Sequence, residues 1–424
     1  MQADKRLDLL SVASIPLIMT LGNSMLIPIL PMLQQQLDVT AFQTSLIITV
    51  YSAVAIVLIP IAGFLSDCYG RKIVIIPSLI IAAAGGLISV LAALLSDNSY
   101  VLILIGRMLQ GVGAAGCAPI VLPLIGDMFR SEDDVSTGLG IVETSNTFGK
   151  VLSPILGAYL STVVWYLPFL AIPIFCGVSI LLVWFLLKSP KQKPKNITIK
   201  SFTGDIKSIF RQKGRWLYAI FAIGAICMFI VFGVLFYLSS LLEKKYGIDG
   251  VIKGLILAIP LGSLCLSSYL TGRFVGENKR MMKWVTFFGL VILAVAIFAT
   301  GFFKNIYLIV LSLFVSGVGI GMTLPCLDAF ITEGIEKAQR GTITSMFSSM
   351  RFIGVALGPP LVSILMDISQ LTLFLTFAGL SLLAAVLSLF AIKPRSKGKK
   401  GEQKDLLDII IKSMFNQRRL EKLK

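Results

Sequence analysis

Gly63-Phe-Leu-Ser-Asp67-Cys-Tyr-Gly70-Arg71-Lys72 joins two long apolar runs, so it reads as a short polar turn between two membrane helices. Two adjacent cations follow its second glycine. Cations next to a spanning segment favour the cytoplasmic side, so this turn fixes which way the chain faces. Asp67 falls at a helix end, where an ionised carboxylate can pair with a cation or with the positive N-terminus of a neighbouring helix. The turn is therefore a candidate latch between helices, with a plain solvated turn as the alternative.

Composition carries the same reading outward. The 424 residues are 56% hydrophobic and only 14% charged, which excludes an ordinary soluble multidomain chain. Twelve apolar runs recur along the sequence, each near the ~20 residues that cross a bilayer as a helix. The net charge of +16 could suggest a nucleic-acid partner, but its distribution argues against one. Most of the 38 Lys and Arg lie in ends and loops on one side. Lys244, Lys245 and Lys304 fall in loops on the other side, and Arg107, Lys150, Lys253 and Arg351 fall within helices. That bias puts both termini in the cytoplasm.

The six cysteines stand singly, without metal-ligand spacing or a disulfide framework, and the chain has no histidine. No metal or cofactor is expected, and any proton chemistry falls to carboxylates. The first apolar run is too long for the core of a signal peptide and reads as a retained helix. Retained helices with reduced cysteines suit a bacterial inner (plasma) membrane.

Taken in order, the predicted spans are Leu9–Leu33, Thr44–Ser66, Ile73–Leu95, Tyr100–Leu124, Val135–Thr162 and Trp165–Leu187. After a basic, Pro-containing linker (188–215) come Trp216–Leu242, Val251–Phe274, Met281–Phe303, Ile306–Glu333, Gly341–Met366 and Leu371–Ile392. The expected architecture is an all-α membrane protein of two pseudo-symmetric six-helix bundles, 1–187 and 216–392. A shift of 205 residues aligns Gly116, Thr137, Gly149, Pro154 and Leu156 with Gly321, Thr342, Gly354, Pro359 and Leu361, which favours a duplication. The tail 393–424 carries Leu406, Leu407, Ile410, Ile411 and Met414 on one helical face among basic residues. It reads as an amphipathic helix on the anionic leaflet, a helix packed on the linker, or disorder.

Several interior polar residues stand out. Arg107 lies inside the fourth span, where a charge costs at least ~2.5 kcal/mol at the bilayer centre, so a partner or polar cavity is expected. Snorkelling to the surface is the alternative. In the fifth span Gly149, Ser153 and Gly157 recur every four residues as a groove for another helix, and Pro154 bends the helix. Glu143 is the most deeply placed carboxylate. Lys150 lies two turns along the same face, ~10 Å of rise away and too far for a direct bond. A desolvated Glu can take up and release a proton near neutral pH, which makes Glu143 the candidate proton carrier. A static pair with Arg107, Lys150 or another cation is the competing reading. Asn23, Asn146, Lys150, Asp328 and Arg351 are candidate cavity residues, Asp328 with an interfacial cap as its alternative. Phe232 and Phe236 of the seventh span could line an apolar pocket, although such aromatic runs more often face lipid or pack.

These stretches resemble the major facilitator superfamily, in particular its twelve-helix drug:proton antiporter branch. The turn matches Gly-x-Leu-x-Asp-x-x-Gly-Arg-Lys at Gly63, Leu65, Asp67, Gly70, Arg71 and Lys72, with Cys68 where the family usually has Arg. Arg107 to Ala115 match Arg-x-x-Gln-Gly-x-Gly-Ala-Ala. The fifth span approximates Gly-x-x-x-Gly-Pro-x-x-Gly-Gly, with Ser153 and Ala158 replacing two glycines. The resemblance implies that Asp67, Arg71 and Asp127 latch the inward gate and that Arg107 serves proton coupling. It also implies that the fifth-span motif seals the interface between bundles around a cavity between spans one, four, seven and ten.

The expected function is proton-driven export of small amphipathic compounds or drugs by alternating access, by a monomer whose partners are cargo, protons and lipid. The three cations Lys150, Arg107 and Arg351 against one deep carboxylate suit an anionic metabolite or a siderophore instead. An intramembrane lipid-acting enzyme would need a nucleophile–base pair or a metal cluster, and without histidine or clustered ligands none is supplied.

Overall fold

The computed structural model describes residues 3–95, 99–129, 132–188, 199–275, 278–335 and 337–392, and every regular element among them is helical. The first predicted span is interrupted. Helix α1 (Ala3–Ser24) gives way to a 3-10 turn at Ile27–Ile29 before α2 (Leu30–Gln36). Pro28 and Pro31 cause the break, because they lack the N–H groups that the carbonyls of Ser24 and Ile27 would accept in a continuous helix. Thr40 and Gln43 form a capping box that starts α3 (Ala41–Tyr69). Gly70, at φ +107°, is the single residue between α3 and α4 (Arg71–Leu95), a backbone conformation that side chains other than glycine rarely adopt. The fourth span is also broken, into α5 (Ser99–Ala115) and α6 (Ala118–Met128), where Pro119 follows Gly116 and Cys117. Helices α7 (Glu132–Val163) and α8 (Leu167–Phe185) complete the first half.

In the second half the first helix begins ahead of its apolar span, Gly214–Tyr246, which itself starts close to the expected Trp216. Residues 189–198 lie outside the described residues, but α9 (Ile199–Tyr246) is helical from well before the expected Trp216. Past Pro194 no proline interrupts the sequence, so the spanning helix propagates back into the basic stretch. Then follow α10 (Gly250–Val275), α11 (Lys279–Thr300), α12 (Ile306–Gly334), α13 (Lys337–Ile368) and α14 (Gln370–Ala391). The tail with its expected amphipathic helix lies outside the described residues.

Eleven segments among the described residues are long and apolar enough to cross a membrane. Helix α7 is the twelfth. At 32 residues it is long enough, but it carries Glu143 and Lys150 and is held between α1 and α10. Large apolar side chains such as Val57, Ile73, Val295 and Phe390 point outward, as a lipid-facing surface requires.

Packing repeats between the halves. Helix α4 lies on α5 and α8 as α11 lies on α12 and α14, and α1 packs on α7 as α9 packs on α13. Gly85 and Gly106 let α4 and α5 cross backbone to backbone, and Gly289 and Gly319 do so for α11 and α12. Lys72 Nζ donates to the carbonyls of Trp184 and Leu187 at the end of α8, and Lys283 Nζ donates to Leu389 near the end of α14. Between the halves, α3 lies on α13 and α7 on α10.

Candidate functional site

The turn that opened the sequence reading folds into a compact charge knot. Arg71 Nη1 lies 2.5 Å from Asp67 Oδ1, and its Nε donates to Asp127 Oδ2 at 3.2 Å. Nη1 also donates to Ser66 Oγ. The three expected gate residues are thus brought together, all within the first half. Across the crevice beside them stand Gly341, Thr342 and Ser345 of α13, with Ser345 packed close to Gly63.

The halves also meet at the opposite face. Ser239 of α9, fully buried, donates to the carbonyls of Ile27 and Pro28 at 3.3 and 3.2 Å. Ile27 O also accepts from the Leu30 backbone N–H, so Ser239 adds a second donor, from the other bundle. Gly254 of α10 fits against the Pro154 carbonyl and Ala158, where a Cβ would come within 2.6 Å of that oxygen. The small-residue groove of α7 has a different occupant from the expected one. Gly149 faces Leu17 and Thr20, Gly157 abuts Met25, and Ser153 Oγ donates to Gly149 O and Thr20 O. Gly149, Ser153 and Gly157 therefore seat the first span of their own bundle, and Pro154 with Ala158 makes the contact between bundles.

The four cations expected within the spans, Arg107, Lys150, Lys253 and Arg351, divide into two kinds. Arg107 is completely buried and bonded through all three of its nitrogens. Its Nε donates to Ile47 O, Nη1 to Gly22 O and Gln110 Oε1, and Nη2 to Asn23 Oδ1 at 2.6 Å, with the Tyr51 ring 4.4 Å from Cζ. Asn23, expected in the cavity, is buried as one of these acceptors. No carboxylate contacts Arg107 among the described residues. Lys253 is also buried and lies 2.5 Å from Glu243 Oε2.

Lys150 and Arg351 are different. Each lies near the middle of a 32-residue helix, Lys150 on α7 and Arg351 on α13. Among the described residues Lys150 makes no hydrogen bond or ion pair, but it is within electrostatic range of Arg351, Glu143, Asp328 and Cys265. Arg351 Nη1 stands 3.6 Å from Asp328 Oδ1, beyond hydrogen-bonding distance, and its guanidinium lies near the Phe347 ring. Glu143 is exposed and held loosely, by Asn146 Nδ2 at 3.4 Å and Thr147 Oγ1 at 3.5 Å. Asn146 is steadied in turn by Thr20 Oγ1 at 2.6 Å. Five of the candidate residues, Glu143, Asn146, Lys150, Asp328 and Arg351, thus form one polar cluster contributed by both bundles. Phe232 and Phe236 do not face open space. They are 8% and 5% exposed, inside an apolar core that takes in Leu26 to Leu33 of the first span.

Sequence reading missed Ser239, Thr20 and Tyr51. None of the three carries a sequence signal that sets it apart from other polar residues in apolar runs.

The sequence profile of the Major Facilitator Superfamily matches residues 12–354 and again 278–421. A protein of Bacillus subtilis (strain 168) described as a bacillibactin exporter is 50% identical over 400 residues, covering 94% of this chain and 99% of the relative. The quinolone resistance protein NorA of Staphylococcus aureus (strain Mu50) is 23% identical over 390 residues, covering 90% of this chain and 95% of the relative. Among solved structures, the human organic anion transporter MFSD10 (TETRAN) superposes with a TM-score of 0.72 at 18% identity, covering 92% of this chain and all of that one. Twelve spans in two matched halves, three motifs in their expected places and a profile match across the chain lead to one conclusion: this multi-pass membrane transporter belongs to the major facilitator superfamily.

Proposed function

We propose that this chain exports a siderophore or a similar anionic metabolite, with protons entering in exchange. The observation that carries this reading is the 50% identity, over 94% of the chain, with the bacillibactin exporter. Half the sequence in common argues for a common class of cargo more strongly than the 23% shared with a quinolone resistance protein. The polar cluster agrees with it. Two cations without hydrogen-bond partners among the described residues stand between the bundles, which suits an anion better than a cationic drug. Efflux of small amphipathic drugs is the second reading, favoured by the more distant relatives. Phe232 and Phe236, which it would use, are packed away in the core.

In this mechanism the bundles 1–187 and 216–392 rock about the α3–α13 and α7–α10 contacts, opening the cluster to alternate sides. The charge bias of the loops puts both termini in the cytoplasm of the plasma membrane. Glu143, which holds no cation directly, is the proton carrier. A proton entering through ~100 mV gains ~2.3 kcal/mol, and an anion of unit charge leaving gains as much, so both limbs of the cycle run downhill. A monomer needs no cofactor for this.

The test is transport in proteoliposomes under an imposed pH gradient, comparing bacillibactin with cationic dyes and wild type with Glu143→Gln. We expect bacillibactin to move and dyes not to, and the variant to transport without responding to the gradient. Gradient-driven dye movement without siderophore movement replaces the proposal with drug efflux. Full gradient response in the variant removes Glu143 from the coupling.

A further inference from the structure

Proline leaves its mark on the carbonyls that precede it. In a helix each carbonyl accepts from the N–H four residues on, or three in a tighter turn, and proline has no N–H to give. Pro359 and Pro360 stand side by side inside α13, which stays helical through both. The carbonyl of Ala356 therefore loses both of its possible helical donors at once. Ala356 is buried, and the hydrocarbon core holds no water to replace them, so a donor has to come from outside the helix.

It comes from the other bundle. Thr49 Oγ1 of α3 donates to Ala356 O at 2.7 Å. The same repair occurs within a bundle, where Pro325 takes the usual donor from Gly321 O and Ser268 Oγ of α10 supplies one at 3.1 Å. There both helices belong to one body, whereas α3 and α13 belong to two. The bond sits in the first third of α3 and the second half of α13, on the side away from the Arg71 knot. Tyr51 and Phe352, their ring centroids 6.3 Å apart, pack α3 on α13 close by and keep the contact apolar. The two partners are unequal. Thr49 has a second acceptor in Ser45 O of its own helix, at 3.3 Å, to which it can turn. Ala356 O has neither helical donor to fall back on.

We infer that Thr49 is a conformational latch: its hydroxyl, donated to a carbonyl that Pro359 and Pro360 have stripped, holds α3 against α13 while that face is closed and lets go when the face opens. The inference rests on the rocking of the bundles proposed above and is independent of the cargo. In the closed state the bond satisfies a buried carbonyl. In the open state water reaches that carbonyl, and Thr49 turns back to Ser45. Removing the hydroxyl therefore penalises the closed state alone, because only there is the carbonyl left both buried and unpaired.

The test is amide hydrogen–deuterium exchange of the full-length protein in lipid nanodiscs, which reads the population of opened states. Wild type, Thr49→Val, Thr49→Ser, Pro360→Ala and the double variant Thr49→Val with Pro360→Ala are compared, with a thermal transition for each to show that it is folded. Two regions are followed: the contact itself, and residues 243–254 at the α9–α10 junction, which lie on the same face in other helices. Thr49→Val keeps the shape of the side chain and loses the donor, and is expected to raise exchange about fivefold or more in both regions. Thr49→Ser keeps the hydroxyl and is expected to stay within about twofold of wild type. Pro360→Ala restores an N–H to Ala356 O from within α13, so adding Thr49→Val to it is expected to change exchange by less than about twofold. Unchanged exchange in Thr49→Val, or a rise confined to the contact, overturns the latch. So does a Thr49→Ser variant that exchanges like Thr49→Val, or a Thr49→Val effect of equal size with and without Pro360→Ala. If a Pro360→Ala chain fails to fold, the comparison of Thr49→Val with Thr49→Ser decides alone. Wild type that shows no opening of this face short of global unfolding removes the rocking and the latch together, whereas a face that opens equally in wild type and Thr49→Val removes the latch and leaves the rocking.

Discussion

Arg107 and Arg351 are both arginines in the middle of a membrane helix, yet they live in opposite surroundings. Arg107 is sealed, with four hydrogen bonds from its three nitrogens and an aromatic face beside it. Arg351 is 19% exposed at the junction of the bundles, with a single loose carboxylate neighbour. The first is a charge whose desolvation is offset by fixed oxygen dipoles, so it behaves as part of the framework. The second keeps donors in reserve, which a framework residue has no reason to do. The lesson is that an intramembrane cation is identified as working or structural by its unspent hydrogen-bonding capacity, and its depth in the helix does not separate the two cases.

That contrast can be broken by mutation. The largest effect is expected from Arg107→Ala. It strips Asn23, Gln110 and the Ile47 and Gly22 carbonyls of their common donor and leaves a cavity. A loss of about 3–5 kcal/mol is expected, read as a collapse of the thermal transition or of the yield of folded protein. A variant that folds normally would move Arg107 out of the framework class. Next comes Lys150→Gln. Because the ammonium has no direct partner among the described residues, stability is expected to change by less than about 1 kcal/mol, while transport of an anionic cargo falls tenfold or more. Equal losses in both measurements would mean that Lys150 is held by the fold after all.

The smallest effect tests the far-face seal. Ser239→Ala removes the side-chain donor shared by the Ile27 and Pro28 carbonyls, worth about 1 kcal/mol, a roughly fivefold shift toward states in which α9 and the first span have parted. Increased labelling of a cysteine introduced at Ser240 by an impermeant thiol reagent would register it. Unchanged labelling would mean that the apolar core between α9 and Leu26 to Leu33 holds that face closed without help.

Much of the fold was readable before any coordinate. Run lengths, the single-residue turn at Gly70 and the three glycine-rich motifs define twelve spans in two halves, because lipid admits only helices whose backbone is satisfied internally. The breaks in the first and fourth spans were written in Pro28, Pro31 and Pro119, yet a hydropathy reading passes over them, since proline interrupts hydrogen bonding and leaves apolarity unchanged. The site was only half legible. Lys150, Glu143, Asp328 and Arg351 are conspicuous as charges in apolar runs. Sequence distance does not say that residues 143 and 328 share one cluster while Arg107 stands apart from it.

The sequence by itself determined the membrane solvent, the number of spans, the duplicated plan and the roster of interior charges, all of which follow from local composition and periodicity. Which of those charges are spent, and which are held in reserve, was decided by tertiary structure alone. Asn23 became a support for Arg107, Phe232 and Phe236 became core, and the α7 groove took its own bundle's first span. The physical reason is that the energy of a buried charge depends on the oxygens within about 3 Å of it, and in this chain those oxygens come from helices up to 85 residues away in sequence.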